Sequence, residues 1–143
     1  MIDVTSLSAH ELSQKLHSGE ISSVDLCTAY LDRIKKFEKD VQAWQFIDKK
    51  LLIEKAEEAD TYRKSGKPLG PLHGMPVALK DIIGTYDMPT ECGTVFRKKM
   101  SNSQDSEIVN LLKNSGAIIM GKTVTCELAY IHPSKTKNPH DCS

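Results

Sequence analysis

The stretch Gly70-Pro71-Leu72-His73-Gly74-Met75-Pro76-Val77-Ala78-Leu79-Lys80-Asp81 limits what this chain can fold into more than any other. Glycine and proline fix special backbone angles, and Gly74 is free to take a positive φ ahead of a segment that Pro76 holds extended. Val77, Ala78 and Leu79 form a short apolar run without helical spacing. Bounded by turn residues on its N-terminal side, such a run predicts a buried strand over 76–80. Its end on Lys80 sets one ammonium at the mouth of an apolar wall. A lysine there either stays solvated, the usual state at a strand end, or is partly buried, loses its proton and serves as a base.

A second apolar run, Ala117-Ile118-Ile119-Met120, stops at Gly121 and predicts another buried strand over 117–121. Between the two lies a helix capped by Asp105 or Ser106, carrying Ile108, Leu111 and Leu112 and closed by Asn114-Ser115-Gly116. Strand, helix and strand with brief connections argue for a parallel crossover unit. Upstream the chain reads as helical. Ser8-Ala9-His10-Glu11 has the form of a capping box, with Leu12 and Leu16 on the buried side and Gly19 at the exit. A second helix starts at Ser22 or Ser23, with Asp25 in its first turn and Cys27, Tyr30, Leu31, Ile34 and Phe37 at helical spacing. Val41 to Ile47 predicts a short strand. Asp48 caps a third helix to about Ser65, with Leu51, Leu52, Lys55, Ala56, Ala59 and Tyr62 along one side and Gly66 ending it. Thr123 to Tyr130 predicts a last short helix, and 132–143 a loop. The fold class is α/β, with N-terminal helices packed on a small mixed or parallel sheet. Residues 1–143 read as one unit, a helical region over 1–66 and the start of an α/β core over 67–143.

Composition narrows the function. A chain of 143 residues suits one domain, and its 19 basic and 19 acidic side chains cancel, so bulk charge draws it neither to nucleic acid nor to an acidic membrane. No apolar run is long enough to span a bilayer, and the N-terminus lacks the basic region and apolar core of a signal peptide, so the expected compartment is the cytoplasm. Cys27, Cys92, Cys126 and Cys142 lie far apart, which favours free thiols over a disulfide scaffold or zinc site. Gly84 and Gly121 do not open a glycine-rich phosphate cradle, and no cofactor or metal is expected. Cys92 with His73 as its base would need a geometry for which nothing in their spacing speaks. Cys92 is therefore not read as a nucleophile, and His73 is read as a turn residue bonded to nearby backbone.

The wording Gly70 to Asp81, followed by Met88-Pro89-Thr90 and later by Gly121-Lys122-Thr123, closely resembles the amidase signature family. These are hydrolases of carboxylic amides, acting on C–N bonds other than peptide bonds through a Ser–cis-Ser–Lys triad. The family also includes the amidotransferase subunit that feeds ammonia to misacylated tRNA. By that resemblance Lys80 matches the triad lysine, and the sequence is the N-terminal part of an incomplete amidase-signature fold. The family's two serines belong to a glycine- and serine-rich segment that follows an Asn-Pro-x-Asp stretch. Asn138-Pro139-His140-Asp141 matches that approach, and Ser143 aligns ahead of both serines.

In the implied chemistry, a neutral Lys80 takes the nucleophile's proton through an intervening hydroxyl and later delivers it to the departing amine. The run Val77 to Leu79 would desolvate Lys80, while Asp81, if it faced the amine, would favour the charged form. With one triad member of three, the polypeptide alone is expected to lack amidase activity, as a fragment or truncated gene product would. A small amide is its substrate only when the missing part completes the site. Two alternatives stand beside this: a component of tRNA-dependent amidation, and a non-catalytic interaction module. Strands deprived of neighbours should leave open edges and apolar faces for a protein partner.

Overall fold

The computed structural model describes residues 3–141. Helix α1 (Ala9–Ser18) and helix α2 (Ser23–Val41) both start on complete capping boxes, Ser8 with Glu11 and Ser22 with Asp25. In each the serine hydroxyl satisfies one orphan N–H while the carboxylate reaches back to the cap. Gly19 ends α1 in the left-handed region, at φ 77°. Asp48 caps α3 (Lys49–Lys64) by accepting from the Lys50 and Leu51 amides. These boundaries are set by local chemistry and fall where the sequence puts them.

Three strands form one sheet in the order β1-β3-β2: β1 (Trp44–Phe46), β2 (Pro76–Lys80) and β3 (Ile118–Thr123). β2 and β3 run parallel with α4 (Glu107–Asn114) between them in sequence, the expected crossover unit. β1 pairs antiparallel with the far end of β3, making the sheet mixed. β3 runs on through Gly121, Lys122 and Thr123, past the glycine at which the apolar run ends. A methyl at position 121 would run into the Phe46 carbonyl, so Gly121 is what lets β1 lie against β3. At the entry to β2, Gly74 takes φ 72°, and any side chain there would collide with the Ser23 hydroxyl.

The core has three parts. Cys27, Leu52, Ala56, Ile118 and Met120 join α2 and α3 to one face of β3. Leu12, Leu16, Leu26 and Met75 close the N-terminal end. Leu79, Met88, Val109 and Ile119 join α4 to the sheet. A polar strap crosses between helices: buried Asp60 on α3 accepts the Ser23 and Val24 amides at 2.8 and 3.1 Å. It thus satisfies two orphan donors of α2 and places a negative charge at that helix's positive end.

Several expectations are corrected. Lys55 and Tyr62 stand outside the buried side of α3, which carries Leu52, Ala56 and Asp60. Phe37, on the expected inner face of α2, is exposed. On α4 the inward residues are Val109 and Leu112, while Ile108 and Leu111 face out, because β3 meets the other side of the helix. The helix expected over 123–130 is only a short 3₁₀ turn at Glu127–Ala129, in which Leu128 and Ala129 take left-handed φ of 50° and 58°. Strand β2 is not fully buried: Leu79 is covered but Ala78 is exposed, since β2 lies at the edge of the sheet. Cys27, Cys92 and Cys126 are free thiols; Cys142 and Ser143 lie outside the described residues.

Candidate active site

β2 delivers Lys80 to the carboxyl end of the parallel pair, the end at which open α/β sheets bind ligands. The residue is exposed, and no hydrogen bond or ion pair engages its side chain among the described residues. Lys80 stands on the edge strand of the sheet, where the run Val77 to Leu79 does not cover it.

Asp81 follows and turns the opposite way, as strand geometry requires of neighbours. Its carboxylate is 1% exposed and accepts the Glu91 amide at 3.1 Å and the Gly93 amide at 3.4 Å. Its backbone carbonyl takes the Cys92 amide at 2.9 Å. One residue therefore pins the loop 90–93 beneath the strand end. Burial raises the Asp81 carboxyl above its ordinary value, against the two amides and the Lys122 charge, which act to lower it.

The buried lysine of this site is Lys122, on β3. It is 0% exposed and donates to the Ile83 carbonyl at 2.7 Å and to the Thr90 hydroxyl at 2.8 Å. Burial pushes its ammonium below the ordinary lysine value, with Asp81 opposing. Reasoning from the residues did not single it out, since a lysine after the glycine that ends an apolar run reads as solvated. The signal available was Gly121-Lys122-Thr123 itself, one of the motifs that carry the resemblance.

Cys92 and His73 are not brought together. His73 lies before β2, with its Nε2–H donating to the Ala59 carbonyl at 3.0 Å, whereas Cys92 lies past the other end of that strand. Five residues of strand at about 3.3 Å each hold the two ends apart. His73 is a buried structural histidine, and its partner is on α3 rather than in the turn. Among the described residues, no group of three or more His, Cys, Asp or Glu side chains could hold a metal ion.

Two hollows flank the sheet. A cleft of about 350 Å³ adjoins the Asp81-held loop and is lined by Glu91, Gly93, Thr94, Lys98, Val124 and Thr125. The buried hydroxyls of Thr94 and Thr125 have no hydrogen-bond partner among the described residues. A larger hollow of about 610 Å³ lies between α3 and α4 at the opposite end of the strands, against Tyr62, His73 and Ile118. Size would favour the larger one, and neither Lys80 nor Lys122 lines either hollow.

A comparison with protein families matches residues 25–141 to the family described as Amidase. A glutamyl-tRNA(Gln) amidotransferase subunit from Salinispora tropica is 38% identical over 149 residues, covering 100% of this chain and 30% of that protein. Among solved structures, the peptide amidase from Stenotrophomonas maltophilia overlays with a TM-score of 0.78 and 30% identity, over 85% of this chain and 25% of that one. A fatty acid amide hydrolase overlays with a TM-score of 0.82 and 29% identity, over 94% and 25%. The chain thus spans about a third of the length of the curated relatives it matches.

Proposed function

The chain belongs to the amidase family, and on that footing we propose that its 143 residues form the lysine-bearing N-terminal part of an amidase active site. Lys80 is the proton carrier of that site, and its reaction is hydrolysis of a small carboxylic amide to acid and ammonia or amine. The observation that carries this reading is the disposition of Lys80. It stands at the carboxyl end of a parallel strand, clear of any partner among the described residues, while the adjacent carboxylate is turned inward.

In the reaction, the amine of Lys80 accepts the proton of a bridging hydroxyl as that hydroxyl takes the proton of the attacking serine. The serine oxygen bonds the amide carbon, and the C–N bond breaks as the proton is passed on to the leaving nitrogen; water, losing a proton by the same route, then attacks the acyl-serine, whose ester C–O bond breaks to release the acid and restore the serine hydroxyl. Neither serine of the family's glycine- and serine-rich segment occurs within these 143 residues. The polypeptide by itself is therefore expected to be inactive.

A second reading, a component of tRNA-dependent amidation, is favoured by the curated relatives at 38% identity, which are named as subunits of a glutamyl-tRNA(Gln) amidotransferase. Both readings give the chain a protein partner or further polypeptide at the exposed side of β2. Both place it in the cytoplasm; among the described residues no helix is long and apolar enough to cross a membrane.

The test is ammonia release from simple primary amides. The purified polypeptide should give none, and turnover abolished by Lys80→Ala would overturn the expected inactivity. Joined to the serine-bearing part of an amidase-family chain, it should become active and lose roughly 10²–10⁴-fold of that rate on Lys80→Ala. A joined protein that is active and indifferent to Lys80→Ala would refute the role of Lys80.

A further inference from the structure

We propose that the cleft beside the Asp81-held loop is a binding site for a small oxyanion, a carboxylate or a phosphate group, seated on the hydroxyls of Thr94 and Thr125. The two threonines line the cleft from different loops, one after β2 and one after β3. They are 6% and 5% exposed, and neither hydroxyl has a hydrogen-bond partner among the described residues. A buried hydroxyl left unpaired costs stability, whereas valine fills nearly the same space without that cost. Two such hydroxyls in the walls of one cavity are donors in want of an acceptor.

The loops are held so that the two come together. Gly93, at φ 66°, lies so close to the second loop that a methyl there would meet the Thr125 carbonyl at 2.8 Å. The Leu128 amide donates to the Cys92 carbonyl at 2.8 Å, and the Asp81 carboxylate accepts the Gly93 amide. Charge then selects what can enter. Lys98 and Lys135 also line the cleft; both are exposed, and no ion pair engages either among the described residues. The one carboxylate among the described lining residues, that of Glu91, is committed on both oxygens. It accepts from the Gln45 side-chain amide at 2.6 Å and from the Lys99 backbone amide at 2.8 Å. Two cations against one committed anion leave the cleft positive, and hydroxyl with ammonium donors is the chemistry that recognises an oxyanion. A volume of about 350 Å³ is at the small end for ligand pockets. Lys80 does not line the cleft, so the site stands or falls apart from the role of that residue.

The test is a titration of the isotopically labelled 143-residue polypeptide, read from its amide NMR signals at constant ionic strength. Sodium acetate and sodium phosphate are the probes and sodium chloride is the control. The amides of Gly93, Thr94 and Thr125 should shift saturably with acetate, phosphate or both, and not with chloride. The tighter of the two probes identifies the group that the site takes.

Thr94→Val and Thr125→Val should each weaken binding by about tenfold. Lys98→Gln combined with Lys135→Gln should weaken it by about threefold, because both ammonium groups are exposed. Since the hydroxyls have no partner to lose in the unliganded protein, both valine variants should unfold at urea concentrations no lower than wild type. Absence of saturable shifts, equal shifts with chloride, or unchanged binding in any of the three variants overturns the proposal. So does a lowered urea midpoint or a failure to fold in either valine variant, which would show that hydroxyl already paired within the protein.

Discussion

Lys80 and Lys122 sit one register position apart on adjacent parallel strands, Lys80 opposite Thr123 and Lys122 opposite Leu79, yet one amine is in water and the other wholly enclosed. The alternation of side chains along a strand makes that possible. Thr123, beside Lys122, binds its hydroxyl to the Leu79 carbonyl at 3.3 Å, which ties the two strands together between the lysines.

The enclosed amine should be costly to remove. Lys122→Met leaves the Ile83 carbonyl and the Thr90 hydroxyl short of a donor and Asp81 short of a cation. A loss of about 3 kcal/mol in unfolding free energy is expected by urea titration, with part of it returned when Asp81→Asn is added. An equal loss in the single and double variants would show that the two residues do not act on one another.

His73 makes stability depend on pH. Burial holds its ring below the ordinary histidine value of 6.5, against the Ala59 hydrogen bond. The neighbours facing the ring are His17, Tyr62, Asp60 and Arg63. Since the unfolded chain binds the proton first, stability is full above 6.5 and falls as pH drops towards the folded-state value. Urea titrations across that window should show a slope of up to about 1.4 kcal/mol per pH unit from this one group. His73→Gln should remove that component, and an identical pH dependence in the variant would rule it out.

Cys27 should be chemically silent. Burial in the apolar core between α2 and α3 pushes its thiol up to about 12, with the Asp60 charge adding to the effect. Iodoacetamide at about pH 8 should therefore alkylate half-buried Cys92 and Cys126 in the folded protein and reach Cys27 only after unfolding. Peptide mapping reads the three sites separately, and early modification of Cys27 would contradict its enclosure.

What the sequence disclosed and what it hid divide along the reach of the interactions. Ser8 with Glu11, Ser22 with Asp25, and Asp48 act within three residues, so the starts of the first three helices were legible. Asp60 was not, because it reads as one more charge on α3 until the N-terminus of α2 is brought against it. Gly121 looked like the end of a strand because its purpose is the passage of β1, a contact from far along the chain. The turn at Leu128 and Ala129 defeats propensity outright, since two ordinary residues there take left-handed angles while their amides donate to the carbonyls of Cys92 and Cys126. At the site, the place of Lys80 on its strand was legible, and its exposure is the state usual for a lysine at a strand end. The inward turn of Asp81 depends on amides ten and twelve residues further on.

Pro76 at the start of the edge strand has one more effect. The Asp81 amide bonds the Thr123 carbonyl, so by alternation the backbone groups of residues 76, 78 and 80 point to the uncovered side. Proline has no hydrogen to give, and the Lys80 carbonyl is already taken by the Ile83 amide at 3.0 Å. Ala78 alone then offers both a donor and an acceptor. That margin gives little purchase to stray chains seeking to stack against it, and it obliges a legitimate neighbour to align on a single alanine, a short step along the strand from the lysine it would have to meet.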